Sequence, residues 1–359
     1  MRTYRVGVLG CGQIAQIMHL PYLRDLPGWE IYALCDISAQ VTHKVAEKYG
    51  IPTERCYTNY DAFLADPNMD VALICSKDHC EPAVKAAEAG KHVFVEKPFG
   101  FNLRQARAMA DAADRADIKM MVGYMKCYDT GYQEMLRQIR ELKDIHLVRF
   151  HDFGGSFAYT RDVYDVLSGS DVDPQVFAEG KRINDAAMLE EIGQEHKALQ
   201  PAYSLLLGVF CHDAVLLRHA FGDDLDVLFA DVHGSFTNAL LQAGETRILL
   251  ESGLVMTRPI WDEYMEVYSG EKNLRLDFPW PYLKNAPSRL HVSDNVPGTD
   301  MARESTISTS FQEAYRTEWQ HFHECLEQDK QPMTNGRDAV KDIELMSRII
   351  RRAAQGAKQ

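Results

Sequence analysis

The chain has little for a nucleic acid to grip. Its 359 residues carry 39 Lys and Arg against 52 Asp and Glu, a formal net charge of −13. A phosphate backbone is bound by clustered cations, which this balance does not supply, and the same shortage gives no support to an anionic membrane surface as partner. Also missing is any stretch approaching the roughly 18 apolar residues of a bilayer span. Arg2 and Arg5 precede a short apolar run in the manner of a secretory leader, but that run is brief and broken by glycines. None of the eight cysteines (Cys11, Cys35, Cys56, Cys75, Cys80, Cys127, Cys211, Cys325) stands in a C-x-x-C pair, and several lie inside strand-like apolar runs. That pattern suits reduced, buried thiols rather than a disulfide framework or a zinc site. No internal repeat or low-complexity segment occurs. The expectation is a cytoplasmic protein with no nucleic-acid partner, no membrane and no metal.

What is present is ordinary globular material: 46% apolar and 25% charged residues. The length exceeds what one hydrophobic core usually serves, so two domains are expected, at 1–123 and 124–359. Over the first stretch, apolar runs at Arg5–Leu9, Ile31–Cys35, Val71–Cys75, His92–Val95 and Lys119–Val122 alternate with helical patterns at Ala39–Tyr49, Pro82–Ala89 and Leu103–Ala116. Strands apolar on both faces, separated by amphipathic helices, predict an α/β Rossmann domain with a doubly wound parallel sheet.

Beyond Tyr124 the rhythm changes to strand-like pieces at His146–Phe153, Val227–Phe236, Arg247–Leu254, Tyr264–Tyr268 and Leu274–Phe278. The last two are joined by a short hairpin turn. Consecutive strands with short turns predict an α+β domain built on a mostly antiparallel open sheet. Between about 159 and 200 lies a polar, helix-prone insertion, read as an added lid or flap of this second domain, with an oligomer contact as the alternative. The tail from Phe311 to Ala354 predicts one or two helices, broken near Gln331–Gly336. On it, His321, His323 and Cys325 fall at i, i+2 and i+4, so His323 points away from the other two, which argues against a shared metal.

The first strand runs into Gly10-Cys-Gly12-Gln13-Ile14-Ala15, a G-x-G-x-x-A pattern that opens a helix. Gly10 permits the tight turn, Gly12 lets a pyrophosphate approach backbone, and Ala15 allows helix to pack on strand. The helix N-terminus, with Gln13 and Ile14, offers unpaired N–H groups to the phosphates. Asp36 ends the second strand 24 residues past Gly12, where a carboxylate accepts both ribose hydroxyls and repels a 2′-phosphate. NAD is therefore expected over NADP. Ser76 and His79 follow the third strand and should face the cofactor. Glu96-Lys97-Pro98 ends the next apolar strand, at the edge where open α/β sheets bind ligands, and Pro98 keeps the chain out of helix there.

Together with Ala89-Gly-Lys-His-Val93 and Val122-Gly-Tyr-Met-Lys126-Cys-Tyr128-Asp, these motifs resemble the glucose–fructose oxidoreductase/inositol dehydrogenase/rhizopine-catabolism (Gfo/Idh/MocA) family over nearly the whole chain. The Glu-Lys-Pro tripeptide after A-G-K-H-V is the specific part. The resemblance implies a sugar, cyclitol or glycoside substrate and a homodimer or homotetramer assembled through the open C-terminal sheet. It places Glu96 and Lys97 beside the nicotinamide, with Lys97 on the reacting oxygen, and makes His212, ten residues before Gly222, the general base. Lys126 and Tyr128 fall where relatives contact substrate; for Tyr128, packing between domains is the competing reading. Many relatives carry an aspartate four residues before the histidine, where this chain has Gly208. Asp213 is a weak substitute, because successive helical residues point about 100° apart.

The chemistry asks for the same pair. Oxidising a secondary alcohol needs a base for the hydroxyl proton while hydride leaves carbon. A lysine next to a cationic ring has its pKa lowered by desolvation and like charge, and an imidazole titrates near working pH. Two rival readings stand: a catalytically silent NAD-binding regulator, and a reductase of a non-carbohydrate carbonyl.

Overall fold

Short runs of Val, Ile, Leu and Ala, buried on both faces, make the first sheet. The computed structural model describes residues 1–256 and 261–356. Strands β1 (Tyr4–Leu9), β2 (Trp29–Cys35), β3 (Cys56–Tyr57), β4 (Val71–Ile74), β5 (His92–Glu96) and β6 (Met120–Gly123) lie in the order β3-β2-β1-β4-β5-β6. Every pairing is parallel, which is the doubly wound order with its switch point between β1 and β4. The intervening helices begin and end where local chemistry dictates. Ser38 caps Ala39–Tyr49 by accepting from the Val41 N–H, and Gly50 closes that helix at φ 70°. Asn102 caps Leu103–Ala116 in the same way.

Two compact units emerge. The first comprises Met1–Tyr124 with Ala158–Glu191 and Glu318–Ile343. The sequence reading drew the 159–200 insertion into the second domain, whereas most of it clusters with the dinucleotide sheet. It consists of a short helix (Tyr159–Val163), a connecting stretch and a long helix (Pro174–Ile192). Polar anchors explain the docking: Asn102 Nδ2 donates to Ala187 O (3.2 Å), and the Leu103 N–H donates to Glu191 Oε2 (2.9 Å). Behind the sheet, Phe94 stacks on Trp319 at 4.5 Å between centroids, and Trp29 meets Trp319 edge-on at 5.0 Å.

The second unit comprises Met125–Phe157, Ile192–Thr317 and Glu344–Gln359. Its sheet contains β7 (Ile145–Gly154), β8 (Asp226–His233), β9 (Phe236–Ala243), β10 (Thr246–Leu254), β11 (Asp262–Ser269), β12 (Lys272–Asp277), β13 (Arg289–Asn295) and β14 (Ala302–Ser308). Their order is β14-β13-β12-β11-β7-β10-β9-β8. All pairings are antiparallel except β7 with β10, so the mostly antiparallel α+β expectation holds. Val227–Phe236, taken as one strand, is in fact two, turned at Gly234 (φ 61°). The last two strands escaped notice because Ser, Asp, Arg and His fill them, and β14 is exposed almost throughout. The apolar-run reading also needs correcting. The continuous helical run Gln194–Phe221 is long and apolar enough to span a membrane by composition, and its most apolar window is 61% buried inside the protein. Core packing is the physical reason for its hydropathy.

Candidate active site

The glycine-rich turn is built as the motif requires. Gly10 sits at φ 90°, and a Cβ there would lie 2.6 Å from the Ser76 nitrogen, so no other residue fits this approach to the β4 loop. Its N–H donates to Cys35 O (2.8 Å), tying the turn to the end of β2. Gly12 is exposed, and nothing lies within 4 Å of where its Cβ would stand. Gln13 and Ile14 are half-buried at the opening of the helical run, whose first full turn, Ala15–His19, is π-helical. Asp36 reaches back to this turn: Oδ2 accepts from the Cys11 N–H (2.8 Å) and Oδ1 from the Ser38 N–H (2.9 Å). Its carboxylate thus stands between the glycine turn and the head of helix Ala39–Tyr49. A cradle too tight for a side chain at Gly10, open space over Gly12 and an acid at the end of β2 fit a dinucleotide.

Ser76 Oγ donates to Asp78 O (2.7 Å), closing the loop after β4. His79, 5% exposed, uses Nδ1 to donate to Pro98 O (2.8 Å). Burial pushes its imidazole below the usual range, so it is neutral and clamps the β4 and β5 loops together. The Lys97–Pro98 peptide is cis. Glu96 commits both oxygens within the unit: Oε2 accepts from the Lys97 N–H (3.1 Å), and Oε1 pairs with His19 Nε2 (2.9 Å). His19 is fully buried, and its Nδ1 accepts from Trp319 Nε1 (3.1 Å). This fixes the tautomer, because Nδ1 accepts and Nε2 must donate to Glu96. The line Trp319–His19–Glu96 therefore holds the backbone of Lys97 from beneath. His19 was not singled out in the sequence; its only signal is a histidine inside an otherwise apolar helix.

In the second unit, His212 is 8% exposed as the second residue of helix Cys211–Phe221, which follows the π-helical turn Leu206–Phe210 that contains Gly208. A Cβ on Gly208 would meet nothing within 4 Å. Tyr128, 3% exposed, and Lys126, 6% exposed, lie on the 3-10 turn Met125–Tyr128. Lys126 Nζ pairs with Glu263 and stands 3.7 Å from Asp213 Oδ1. Trp261 Nε1 donates to the other Glu263 oxygen (2.7 Å). Asp152 completes the group; one oxygen from each of Asp152, Asp213 and Glu263 falls within 4.8 Å of the others. Burial, and then Asp152, push the Asp213 carboxyl well above the carboxylate range. Burial lowers the Lys126 pKa, but the carboxylates outweigh it and hold the ammonium above its usual range. Lys126 is thus a buried structural cation, and Asp213 is committed to it. Neither Asp152 nor Glu263 was singled out from the sequence, where no motif marks them.

On the tail helix, Cys325 Sγ meets His321 Nε2 at 3.4 Å, while His323 Nε2 donates to Arg2 O (3.0 Å).

Residues 4–124 match the family model described as "Oxidoreductase family, NAD-binding Rossmann fold". A myo-inositol 2-dehydrogenase of Thermotoga maritima is 28% identical over 53% of this chain, and the matched stretch spans 61% of that relative. A D-apiose dehydrogenase of Paraburkholderia graminis is 25% identical over 99% of this chain and 89% of its own length. The crystal structure of an aldose-aldose oxidoreductase from Caulobacter crescentus, complexed with glycerol, superposes with a TM-score of 0.77 at 18% identity, covering 99% of this chain and 98% of that one. At that identity the last match speaks for the fold. The turn, the acid and the sheet order described above all lie within the stretch, residues 4–124, that this Gfo/Idh/MocA oxidoreductase model matches.

Proposed function

We propose that this chain is an NAD-dependent dehydrogenase oxidising a secondary hydroxyl of a sugar, cyclitol or glycoside, or reducing the matching ketone. One observation carries the cofactor reading: the Asp36 carboxylate stands against the glycine turn with no cation beside it in sequence, since Ile37 and Ser38 follow. Such an acid accepts ribose hydroxyls and repels a 2′-phosphate. The names of the Thermotoga and Paraburkholderia relatives support a polyol or sugar substrate. Bound NAD supplies the hydride acceptor. Gly10, Gly12, Gln13 and Ile14 hold the pyrophosphate, and Ser76 and His79 line the next loop. Lys97 polarises the reacting oxygen with its ammonium, held in direction by Glu96 and His19. The His212 imidazole takes the hydroxyl proton. Lys126 anchors the floor of the second unit, and Tyr128 packs beside it. The half-buried outer face of the second sheet, with Arg149, His151, Tyr264 and Arg275, is the surface through which a homodimer or homotetramer assembles.

The test is NADH absorbance against a panel of sugars, inositols and glycosides, with Lys97→Ala and His212→Asn alongside. Turnover on at least one polyol is expected. Lys97→Ala should bind NAD normally but lose roughly 10²-fold or more in kcat. Near-normal turnover in that variant removes Lys97 from the chemistry. Gly208, standing where relatives carry an aspartate, favours a second reading, an NAD-binding regulator. Tight NAD binding with no turnover on any polyol would select it.

A further inference from the structure

The insertion makes an ordered set of bonds along the dinucleotide site. Thr160, fully buried, accepts from Gln13 Nε2 through its hydroxyl. Leu167 grips Gln16 with both backbone groups, its carbonyl accepting from Nε2 (2.9 Å) and its N–H donating to Oε1 (2.8 Å). Ser168 O accepts from Lys44 Nζ (2.8 Å). At Gly169 the strap runs so close to helix Ala39–Tyr49 that a Cβ would lie 2.2 Å from Ser38 Oγ and 3.3 Å from Val41 Cγ2. The next residues deliver Asp171 to the head of that helix. One of its oxygens accepts from the Ser38 hydroxyl, and Oδ2 accepts from the Gln40 N–H (3.1 Å). These bonds hold the Asp171 carboxyl below the usual range, so it is an anion at working pH.

The place it fills matters. The first N–H groups of a helix are unpaired and carry partial positive charge, which makes them a ready anion site. In a dinucleotide fold, the helix after β2 begins beside the acid that reads the ribose, which is where a 2′-phosphate would be received. Here the Ser38 N–H is taken by Asp36 and the Ser38 hydroxyl and Gln40 N–H by Asp171. Two carboxylates, one from β2 and one delivered from residue 171, have used the donors a 2′-phosphate would need.

We propose that Asp171 is a second specificity-determining residue, a built-in anion that occupies the 2′-phosphate position and so excludes NADP. Asp36 discriminates by repulsion at the hydroxyls, and Asp171 discriminates by prior occupation of the helix head. Entry of a 2′-phosphate requires expelling Asp171 from the Ser38 hydroxyl and the Gln40 N–H and then tolerating its charge nearby. This inference rests on the cofactor reading proposed above.

Calorimetric titration of wild type, Asp171→Ala and Asp171→Asn with NADH, NADPH, AMP and 2′,5′-ADP tests it. The last two probes isolate the adenosine end and need no turnover. Asp171→Ala should tighten NADPH and 2′,5′-ADP by about tenfold or more, equivalent to roughly 1.4 kcal/mol. NADH and AMP should move by less than about threefold, and Asp171→Asn, which keeps an acceptor but not the charge, should fall between. A ratio of NADPH to NADH affinity that stays at the wild-type value in Asp171→Ala overturns the inference, as does parallel weakening of both cofactors, which would make the strap a scaffold only. Wild type preferring NADPH would instead sink the cofactor reading, and this inference with it.

Discussion

Lys126 is the residue whose loss the second unit should feel most. In its charged form, Asp213 at 3.7 Å attracts the ammonium by roughly 4–5 kcal/mol at an effective dielectric near 20, and Glu263 lies closer still. Desolvation of the same charges cancels part of that, so the pair's net worth is small. Lys126→Met is a different matter, because it removes the ammonium that pairs with Glu263 and stands 3.7 Å from Asp213 in a buried group of three acids. Removing one partner of such a buried set costs about 3–5 kcal/mol, a large share of a typical total of roughly 5–15. The deficit must also depend on pH. Without the ammonium, the carboxyl groups of Asp213 and Glu263, already raised by burial, rise further. A carboxyl whose folded pKa lies above its unfolded value contributes fully below the unfolded pKa, and that contribution is lost as pH rises towards the folded one. The variant should therefore come nearest to wild type at about pH 4–5 and fall progressively behind towards pH 8–9. Urea unfolding followed by circular dichroism at three pH values measures it. Lys126→Met/Glu263→Leu should recover about 1–2 kcal/mol of the loss, since an apolar pair of similar volume is tolerated where an unpaired charge is not. A single variant that loses less than about 1 kcal/mol, equally at pH 5 and pH 9, refutes the reasoning.

Three further perturbations separate local effects. Gly10→Ala forces a Cβ to 2.6 Å from Ser76 N at φ 90° and should cost about 1–3 kcal/mol of stability. Gly12→Ala, with open space around it, should keep its thermal midpoint yet weaken NAD by about tenfold or more, because the ligand's pyrophosphate needs that space; equal destabilisation by the two substitutions would contradict the assignment. Glu313, 8% exposed just before helix Ala314–Glu327, has its carboxyl pushed up to about 7, by burial first and with Asp129 adding to it. Its contribution is complete below pH ~4.5 and lost by about pH 7, so Glu313→Gln should flatten that part of the stability profile and gain up to about 3 kcal/mol at pH 8; a profile parallel to wild type would count against it. Gly208→Asp has room for its side chain and relieves a helical glycine worth about 0.5–1 kcal/mol, so it should fold at least as well as wild type. If the missing aspartate limits proton removal, kcat at low pH rises in this variant; an unchanged pH profile shows that it does not.

How far the sequence reached depends on the range of the forces involved. The Rossmann strands were legible because each is a run of apolar residues between a turn and a helix, and the helical pattern read at Leu103–Ala116 matches the helix, which Asn102 caps. β3, two residues long at the sheet edge, is too short for any periodicity. β14 is exposed almost throughout and leaves no alternation to detect, while β13 offers only Leu290 and Val292 as a buried face among polar residues. Gly10, Gly12, Asp36 and Lys97 could be singled out because short sequence motifs carry them. His19, Glu263 and Asp171 were not, because each gains its meaning from a residue more than 70 positions away: Glu96 for His19, Lys126 for Glu263, Ser38 for Asp171.

Asp213 shows why a motif departure needs the structure to be interpreted. In sequence it is the nearest acid to His212, and its adjacency suggests a replacement for the aspartate absent at Gly208. Helical geometry already opposes that, since neighbours diverge by about 100°, and packing decides it. Asp213 is 0% exposed, belongs to the Lys126 cluster and is raised well above the carboxylate range. A carboxyl packed 3.7 Å from the Lys126 ammonium cannot turn towards His212 without taking a partner from that buried charge. Asp213 is therefore placed to serve Lys126 rather than to replace an aspartate at position 208.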